Sequence, residues 1–323
     1  MSNNTETNKC IVCKNADSSQ MSFHLVEEMM FGMGESFKYM FCKICGLLQI
    51  TSRQDMSKYY PQSRYSSLQP TNKTSLKNMI RKQANKDYVF NVKTITTLLT
   101  RLWSVNFGAL SMFRELPELP HENILDVGCG TGYFLDRLYE IGFRDLHGVD
   151  LFIGSDLHTN CGIKVMKGEI HDVNKQFKLI MLNHSFEHMW DQLLVLEKIR
   201  SLLLPDGICA IRMPVINEAW NIYKENWYQI DAPRHFFLHT EKSFIILADK
   251  AGFEVTKIFY DSTSRQFIAS ELYRKGIPLK KQTKRVIMHQ VGAKQLKHWR
   301  QEAVKFNATH KGDQAVFILR STD

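Results

Sequence analysis

The chain has 323 residues, 44% of them hydrophobic, which is enough to bury at least one full core and suits about two domains. Its 42 Lys and Arg against 33 Asp and Glu leave a net charge of +9, which excludes an acidic, solvating chain and directs attention to anionic partners. No run reaches the roughly 18 consecutive apolar residues of a membrane span, and the opening MSNNTETNKC has neither the basic start nor the apolar core of a signal peptide, so a soluble cytoplasmic protein is expected.

Residues 1–50 are punctuated by cysteine. Cys10-x2-Cys13 and Cys42-x2-Cys45 form two knuckles of the kind that hold a tetrahedral zinc with four thiolates, although the 28 residues between them exceed the about 15–20 of compact sites. The intervening FGMGESFKYMF reads as a hairpin with Gly32 and Gly34 at its turn. Four thiolates close the coordination shell, so the metal is expected to be structural; four buried free cysteines are the alternative. Cys129, Cys161 and Cys209 stand alone, as suits a reducing compartment. Residues 51–120 carry 11 Lys and Arg against four acids and the cluster YYPQSRY, and are expected to form a linking helical segment.

From residue 121 the pattern becomes α/β. NILDV, LHGVD, KVMKG, FKLIMLN and GICAIRM read as strands, separated by helix-period stretches such as DQLLVLEKIRSLLL, which predicts a doubly wound, mostly parallel sheet of seven strands over 121–323. A helix capped by Thr240 (TEKSFIILADK) leads into a strand, DQAVFILR closes the sheet, and a basic helical insertion covers about 262–311. After NILDV the glycines Gly128, Gly130 and Gly132 form a strand-to-helix turn where the backbone can lie against a ligand; Phe134, Leu135, Leu138 and Tyr139 give the following helix one apolar face. Asp150 ends the next strand 18 residues after Gly132, where a carboxylate can accept both hydroxyls of a ribose. Glu169 ends the third strand, within reach of an adenine, and Asn183 ends the fourth at the crevice where such sheets bind ligands. An adenosyl ligand is the reading these residues favour.

The segments ILDVGCGTGYFL, GVD, GEI and LNHSFEHMWD…LLLPDGICAIRMP together resemble the successive motifs of class I S-adenosylmethionine-dependent methyltransferases. The resemblance implies that Asp126 contacts the amino-acid part of the cofactor and that the backbone around Gly128, Cys129 and Gly130 meets its methionine. It further implies that Gly132 and Tyr133 complete the turn, that Asp150 with Leu151 takes the ribose, that Glu169 with Ile170 faces the adenine, and that Asn183 and His184 border the site. The ribbon CxxC…CxxCGLLQI, with DAPRHFFLHTEKSFIILADKAGFEV downstream, is similar to bacterial methyltransferases of sugar and polysaccharide biosynthesis. More distantly it is similar to nucleotide-sugar C-methyltransferases with a four-cysteine zinc domain. In those enzymes an acid precedes the histidine; here Arg234 does, a departure that argues against C-methylation.

For the acceptor side, His235 is the first candidate for a general base, by its near-neutral intrinsic pKa and its match to the family position, with a histidine that merely braces the loop as the alternative. His184 is second; Asp231 and Tyr228 on the same loop as His235 follow. His184, Glu187 and His188, three and four apart, would share one face of a helical turn, where they could form an active-site rim or hold a metal. Residues 274–311 carry 11 Lys and Arg against Glu302, either as a solvated face or as a surface for diphosphate, nucleic acid or lipid. Three functions are therefore open: methyl transfer to a small-molecule sugar or nucleotide sugar, methyl transfer to RNA, and a non-catalytic interaction protein built on a cofactor fold.

Overall fold

A computed structural model describes residues 9–60, 76–92, 94 and 107–322. Of the linking segment expected over 51–120, the stretches 61–75 and 95–106 and residue 93 lie outside the described residues; within it are helices α1 (Leu76–Val89) and α2 (Ser111–Glu115).

The chain divides into two compact units. Unit 1 comprises Met1–Tyr59, Phe186–Leu193 and Met213–Phe317; unit 2 comprises Tyr60–Ser185, Leu194–Arg212 and Ile318–Asp323. The cysteine-bearing N-terminal segment thus clusters with most of the C-terminal third of the chain.

In unit 1, β1 (Met21–Glu27) and β2 (Ser36–Cys42) form the hairpin expected from FGMGESFKYMF, in register from Met21 opposite Cys42 to Glu27 opposite Ser36. Its turn contains Gly32 and Gly34 at φ +73° and +74°, the left-handed region that glycine enters without steric cost. The sheet continues through β3 (Leu48–Ile50) to β10 (Phe237–Leu238), in the order β1-β2-β3-β10.

The second sheet consists of β4 (Glu122–Val127), β5 (Arg144–Asp150), β6 (Leu157–His158), β7 (Lys164–Lys167), β8 (Phe177–Asn183), β9 (Leu203–Pro214), β11 (Phe253–Tyr260) and β12 (Gln314–Ser321). Their order is β11-β12-β9-β8-β4-β5-β7-β6. Pairs β4/β5, β4/β8, β5/β7 and β8/β9 are parallel. The seven strands expected from the sequence are present; the eighth, β6, is a two-residue edge antiparallel to β7. The near-continuous apolar character of β4 and β8 reflects burial on both faces: Ile124, Leu179, Ile180, Met181 and Leu182 are fully buried. The chain runs from β4 outward through β5 to β7, then returns to the other side of β4 for β8, so the topological switch point lies between β4 and β8.

Helix α3 (Tyr133–Ile141) follows the glycine turn, but its buried face is Leu135, Leu138 and Ile141. Of the other residues expected on that face, Phe134 is half-buried and Tyr139 is exposed, its ring under the Arg144 guanidinium at 4.4 Å. Helix α4 (Gln192–Leu202) ends before the leucine run finishes, which instead opens β9. Helices α5 (Glu218–Tyr223) and α6 (Glu241–Lys250) follow; the Thr240 hydroxyl caps α6 by accepting the Ser243 N–H at 3.1 Å. Residues 262–311 contain the helices α7 (Arg265–Arg274), α8 (Lys284–Gln290) and α9 (Ala293–Ala308). Among the described residues no helix is long and apolar enough to cross a membrane.

Candidate functional site

Unit 2 carries the glycine cradle. Gly128, Gly130 and Gly132 adopt φ of +76°, +57° and +79°. At Gly128 a Cβ would stand 2.4 Å from the Ser185 Cβ, and at Gly132 a Cβ would stand 2.4 Å from the Thr159 Cγ2, so both conformation and space exclude a side chain. The Ser185 hydroxyl donates to the Val127 carbonyl at 2.6 Å, which holds the end of β8 against the end of β4.

Asp150 is fixed at the tip of β5 by two backbone donors. Its Oδ2 accepts the Gly130 N–H and its Oδ1 accepts the Phe152 N–H, each at 2.8 Å. Each carboxylate oxygen has lone pairs beyond the one it uses here, as bidentate recognition of a ribose diol requires. Leu151, 47% exposed, follows it. Asp126 is buried; burial, and then the nearby Asp150 charge, push its carboxyl up to about 7. A cationic group beside this carboxyl would restore its ionised form. Donor groups that fit the cradle are therefore an adenosyl ribose at Asp150 and an ammonium at Asp126, which is the chemistry of the S-adenosylmethionine implied by the sequence motifs.

The remaining cradle residues are placed as follows. Cys129 has its thiol pKa raised by burial and lies 3.6 Å from the Gly130 carbonyl; Gly148 leaves it room, since a Cβ there would stand 2.6 Å from its Sγ. Tyr133 is exposed, and its hydroxyl accepts from Arg81 Nη1 of α1 at 2.8 Å, a partner with no signal in the sequence. Glu169, two residues beyond β7, is exposed and its N–H donates to Asp172 Oδ2 at 2.8 Å, whereas Ile170 is buried. The Asn183 side-chain oxygen accepts from Arg212 Nη1 at 3.0 Å, and the His184 N–H donates to the Arg212 carbonyl at 2.8 Å.

Unit 1 holds the other candidates. Arg234, fully buried, donates to Asp231 through Nε at 3.0 Å and Nη2 at 2.7 Å, and to Glu28 through Nη2 at 2.6 Å. Burial alone would raise the Asp231 carboxyl, but the Arg234 guanidinium outweighs it and holds it below the usual carboxylate range. Glu28 also accepts the N–H groups of Phe31, Gly32 and Met33, so one carboxylate organises both the hairpin turn and the arginine. Glu28 was not foreseen; 206 positions separate it from Arg234.

His235 Nδ1 lies 2.7 Å from the Gln229 carbonyl, and its Nε2 lies 3.9 Å from both Glu187 Oε1 and Asp231 Oδ2. His188 Nδ1 lies 2.8 Å from the Arg234 carbonyl; loss of solvation, then the neighbouring His235, push its pKa down to about 4. Glu187, His188 and His235 gather their ligand atoms within 4.8 Å. His184 is not of this group: its φ of +53° breaks the helical path, and Phe186–His188 form a separate 3-10 turn, so the face expected for His184, Glu187 and His188 does not form. Tyr228, half-buried, is held by its N–H donating to the Ser270 hydroxyl at 3.1 Å.

The four cysteines of the two knuckles converge. Cys10 and Cys45 sulfurs are 3.5 Å apart, as are those of Cys13 and Cys42, and all four lie within 4.8 Å. Sulfurs on a tetrahedral zinc stand roughly 3.8 Å apart, given bonds of ~2.3 Å, so the set fits a closed four-thiolate site. Cys10 is driven down to about 5 by the hydrogen bond from Cys45, while Cys45 is driven up by the same shared proton. Four thiolates at this spacing need a cation to coexist, and zinc would supply it structurally.

A methyltransferase-domain family model matches residues 96–258, just over half of the chain. A search of curated proteins returns no match. Among solved structures, the chain is similar to a SAM-dependent methyltransferase from Archaeoglobus fulgidus (16% identity, covering 70% of this chain and 99% of that one, TM-score 0.42). It is similar also to the cyclopropane synthase MmaA2 from Mycobacterium tuberculosis (15% identity, 67% and 87%, TM-score 0.41). A third is the Burkholderia thailandensis 1,6-didemethyltoxoflavin-N1-methyltransferase, with bound 1,6-didemethyltoxoflavin and S-adenosylhomocysteine (13% identity, 79% and 94%, TM-score 0.40). With its matched segment containing the whole glycine cradle, the chain belongs to the methyltransferase-domain family and is a methyltransferase.

Proposed function

We propose that the chain transfers the methyl group of S-adenosylmethionine to a hydroxyl or carbon of a sugar, either nucleotide-linked or glycan-linked. The observation that carries the acceptor side is the buried hydrogen bond from the Tyr39 hydroxyl of β2 to the His235 carbonyl, 2.8 Å, which fastens the loop bearing His235 to the four-cysteine ribbon. A ribbon used in this way is a scaffold for an acceptor loop.

The donor supplies a sulfonium methyl, transferred in line to a nucleophile, so positioning carries much of the catalysis. When the donor is bound, Asp150 would hold its ribose, Asp126 would meet its ammonium, and the glycine turn would let the backbone lie against it. On the acceptor side a carbonyl can only accept, so the short contact to Gln229 places a proton on His235 Nδ1 and makes Nε2 of the neutral ring an acceptor. That nitrogen takes the acceptor hydroxyl's proton, and Glu187 and Asp231, each 3.9 Å away, stabilise the imidazolium formed. Arg234 positions Asp231 and holds it ionised.

RNA is the second reading, favoured by the basic insertion: all 11 of its Lys and Arg between 274 and 311 are exposed. Transfer of labelled methyl to a panel of nucleotide sugars, short glycans and RNA, by the intact protein and His235→Ala, decides. Label on a sugar that disappears in the variant is expected; label on RNA alone refutes the sugar acceptor.

A further inference from the structure

Glu187, His188 and His235 of unit 1 form a second cluster of metal-ligand residues, distinct from the four cysteines. The two imidazoles meet edge to face with centroids 4.6 Å apart. Both turn Nδ1 to a backbone carbonyl, His188 to Arg234 at 2.8 Å and His235 to Gln229 at 2.7 Å. Because a carbonyl cannot donate, both neutral rings carry their proton on Nδ1 and present Nε2 as an acceptor. A single base needs one such ring. Two rings fixed in the same tautomer by outer carbonyls, converging with a carboxylate, are the arrangement that orients histidine ligands on a metal.

We propose that this cluster binds a divalent transition-metal ion through Nε2 of His188, Nε2 of His235 and the Glu187 carboxylate. Two imidazoles and one carboxylate suit zinc, cobalt, iron or manganese better than calcium or magnesium. Ligand atoms on a tetrahedral ion with bonds of ~2.1 Å stand roughly 3.4 Å apart, so the 3.9 Å between His235 Nε2 and Glu187 Oε1 has to close by about 0.5 Å, and the widest pair of the set, within 4.8 Å, by at most about 1.4 Å. Asp231 is committed to Arg234 and stays outside the ligand set. Three protein ligands leave a position open, unlike the closed four-thiolate site, and an acceptor oxygen is the group that would enter it. A cation and a proton compete for Nε2 of His235, so the base role of His235 belongs to the metal-free site, and a loaded site meets the acceptor through its open position.

Metal bound per chain is counted after the full-length protein is incubated with zinc under reducing conditions and passed through gel filtration. Two per chain are expected in the natural protein, and one in Glu187→Gln and in His188→Gln, the ribbon zinc serving as the control for folding. In parallel, cobalt is added to protein whose ribbon already holds zinc; visible d–d bands without a new thiolate charge-transfer band are expected. One metal per chain in the natural protein, two in both variants, or no cobalt spectrum overturns the proposal, and the spectrum decides alone if the variants do not fold. The count is indifferent to the acceptor, so failure of the sugar reading leaves it standing.

Discussion

Asp126→Asn should make the protein more stable at alkaline pH while impairing the donor site. Asp126 is buried, and its carboxyl is raised from 3.8 to about 7, first by burial and then by the Asp150 charge. About three pKa units correspond to roughly 4 kcal/mol of differential stabilisation of the protonated form, an order-of-magnitude figure. The sign follows from linkage: the folded pKa is raised, so the folded state binds the proton more tightly than the unfolded state. The stabilisation is complete below about pH 4 and is lost as pH rises to about 7. Between pH 5 and 8 the natural protein should lose about 2.5 kcal/mol that the asparagine variant does not, read from urea unfolding at matched m-values. Curves of stability against pH that run parallel within about 0.5 kcal/mol would refute the reasoning. Donor affinity gives the second arm: it should rise with pH up to about 7 in the natural protein, as the carboxyl ionises to meet the ammonium, and lose that dependence in Asp126→Asn.

Two further outcomes are expected. Arg234→Met should cost about 3–5 kcal/mol in urea unfolding, because it leaves Glu28 and Asp231 without the buried cation that both contact; a loss below about 1 kcal/mol would mean those carboxylates are protonated or solvated. Cys42→Ser should lower the zinc content of the ribbon and raise the acceptor KM with little change in donor Kd, since the ribbon reaches the His235 loop through Tyr39 and the donor residues lie in unit 2; calorimetric donor binding that weakens as much as acceptor KM would sink that assignment.

The glycine cradle was legible in the sequence because its parts are local. Gly128, Gly130 and Gly132 are tied to one strand-to-helix turn, and Asp150 is the last residue of the next strand, so chain order alone brings carboxylate and turn together. The knuckles were legible because the spacing of each pair sets its own turn: the Lys14 N–H donates to the Cys10 carbonyl and the Gly46 N–H to the Cys42 carbonyl. The grouping of His235 with Glu187 and His188 was not. Helical spacing grouped His184 with Glu187 and His188, but a left-handed residue at the end of β8 separates them, and His235 replaces it from 47 positions beyond His188. Glu28 and Arg234 pair across a still longer interval, and nothing local marks either as buried.

The same contrast explains why this methyltransferase has its ribbon. The segment from Trp227 to His239 has little regular structure: a 3-10 turn at Tyr228–Ile230, Asp231 at φ +39°, and the two-residue strand β10. The loop is held partly by its own hydrogen bonds, the Ile230 N–H to the Trp227 carbonyl at 3.1 Å and the Arg234 N–H to the Asp231 carbonyl at 2.8 Å, and partly by groups of the N-terminal segment. Tyr39 takes the His235 carbonyl, Glu28 takes Arg234, and the Ile50 N–H takes the Phe236 carbonyl at 2.9 Å. The knuckles are tied in turn to α6, where the Thr240 hydroxyl donates to the Cys45 carbonyl at 2.9 Å and Lys242 Nζ to the Ile44 carbonyl at 2.6 Å. A metal that locks four cysteines would therefore brace this loop from the N-terminal segment and from α6. Preorganisation of the residues proposed for the acceptor costs the loop its conformational entropy once, at folding, instead of at each encounter with substrate.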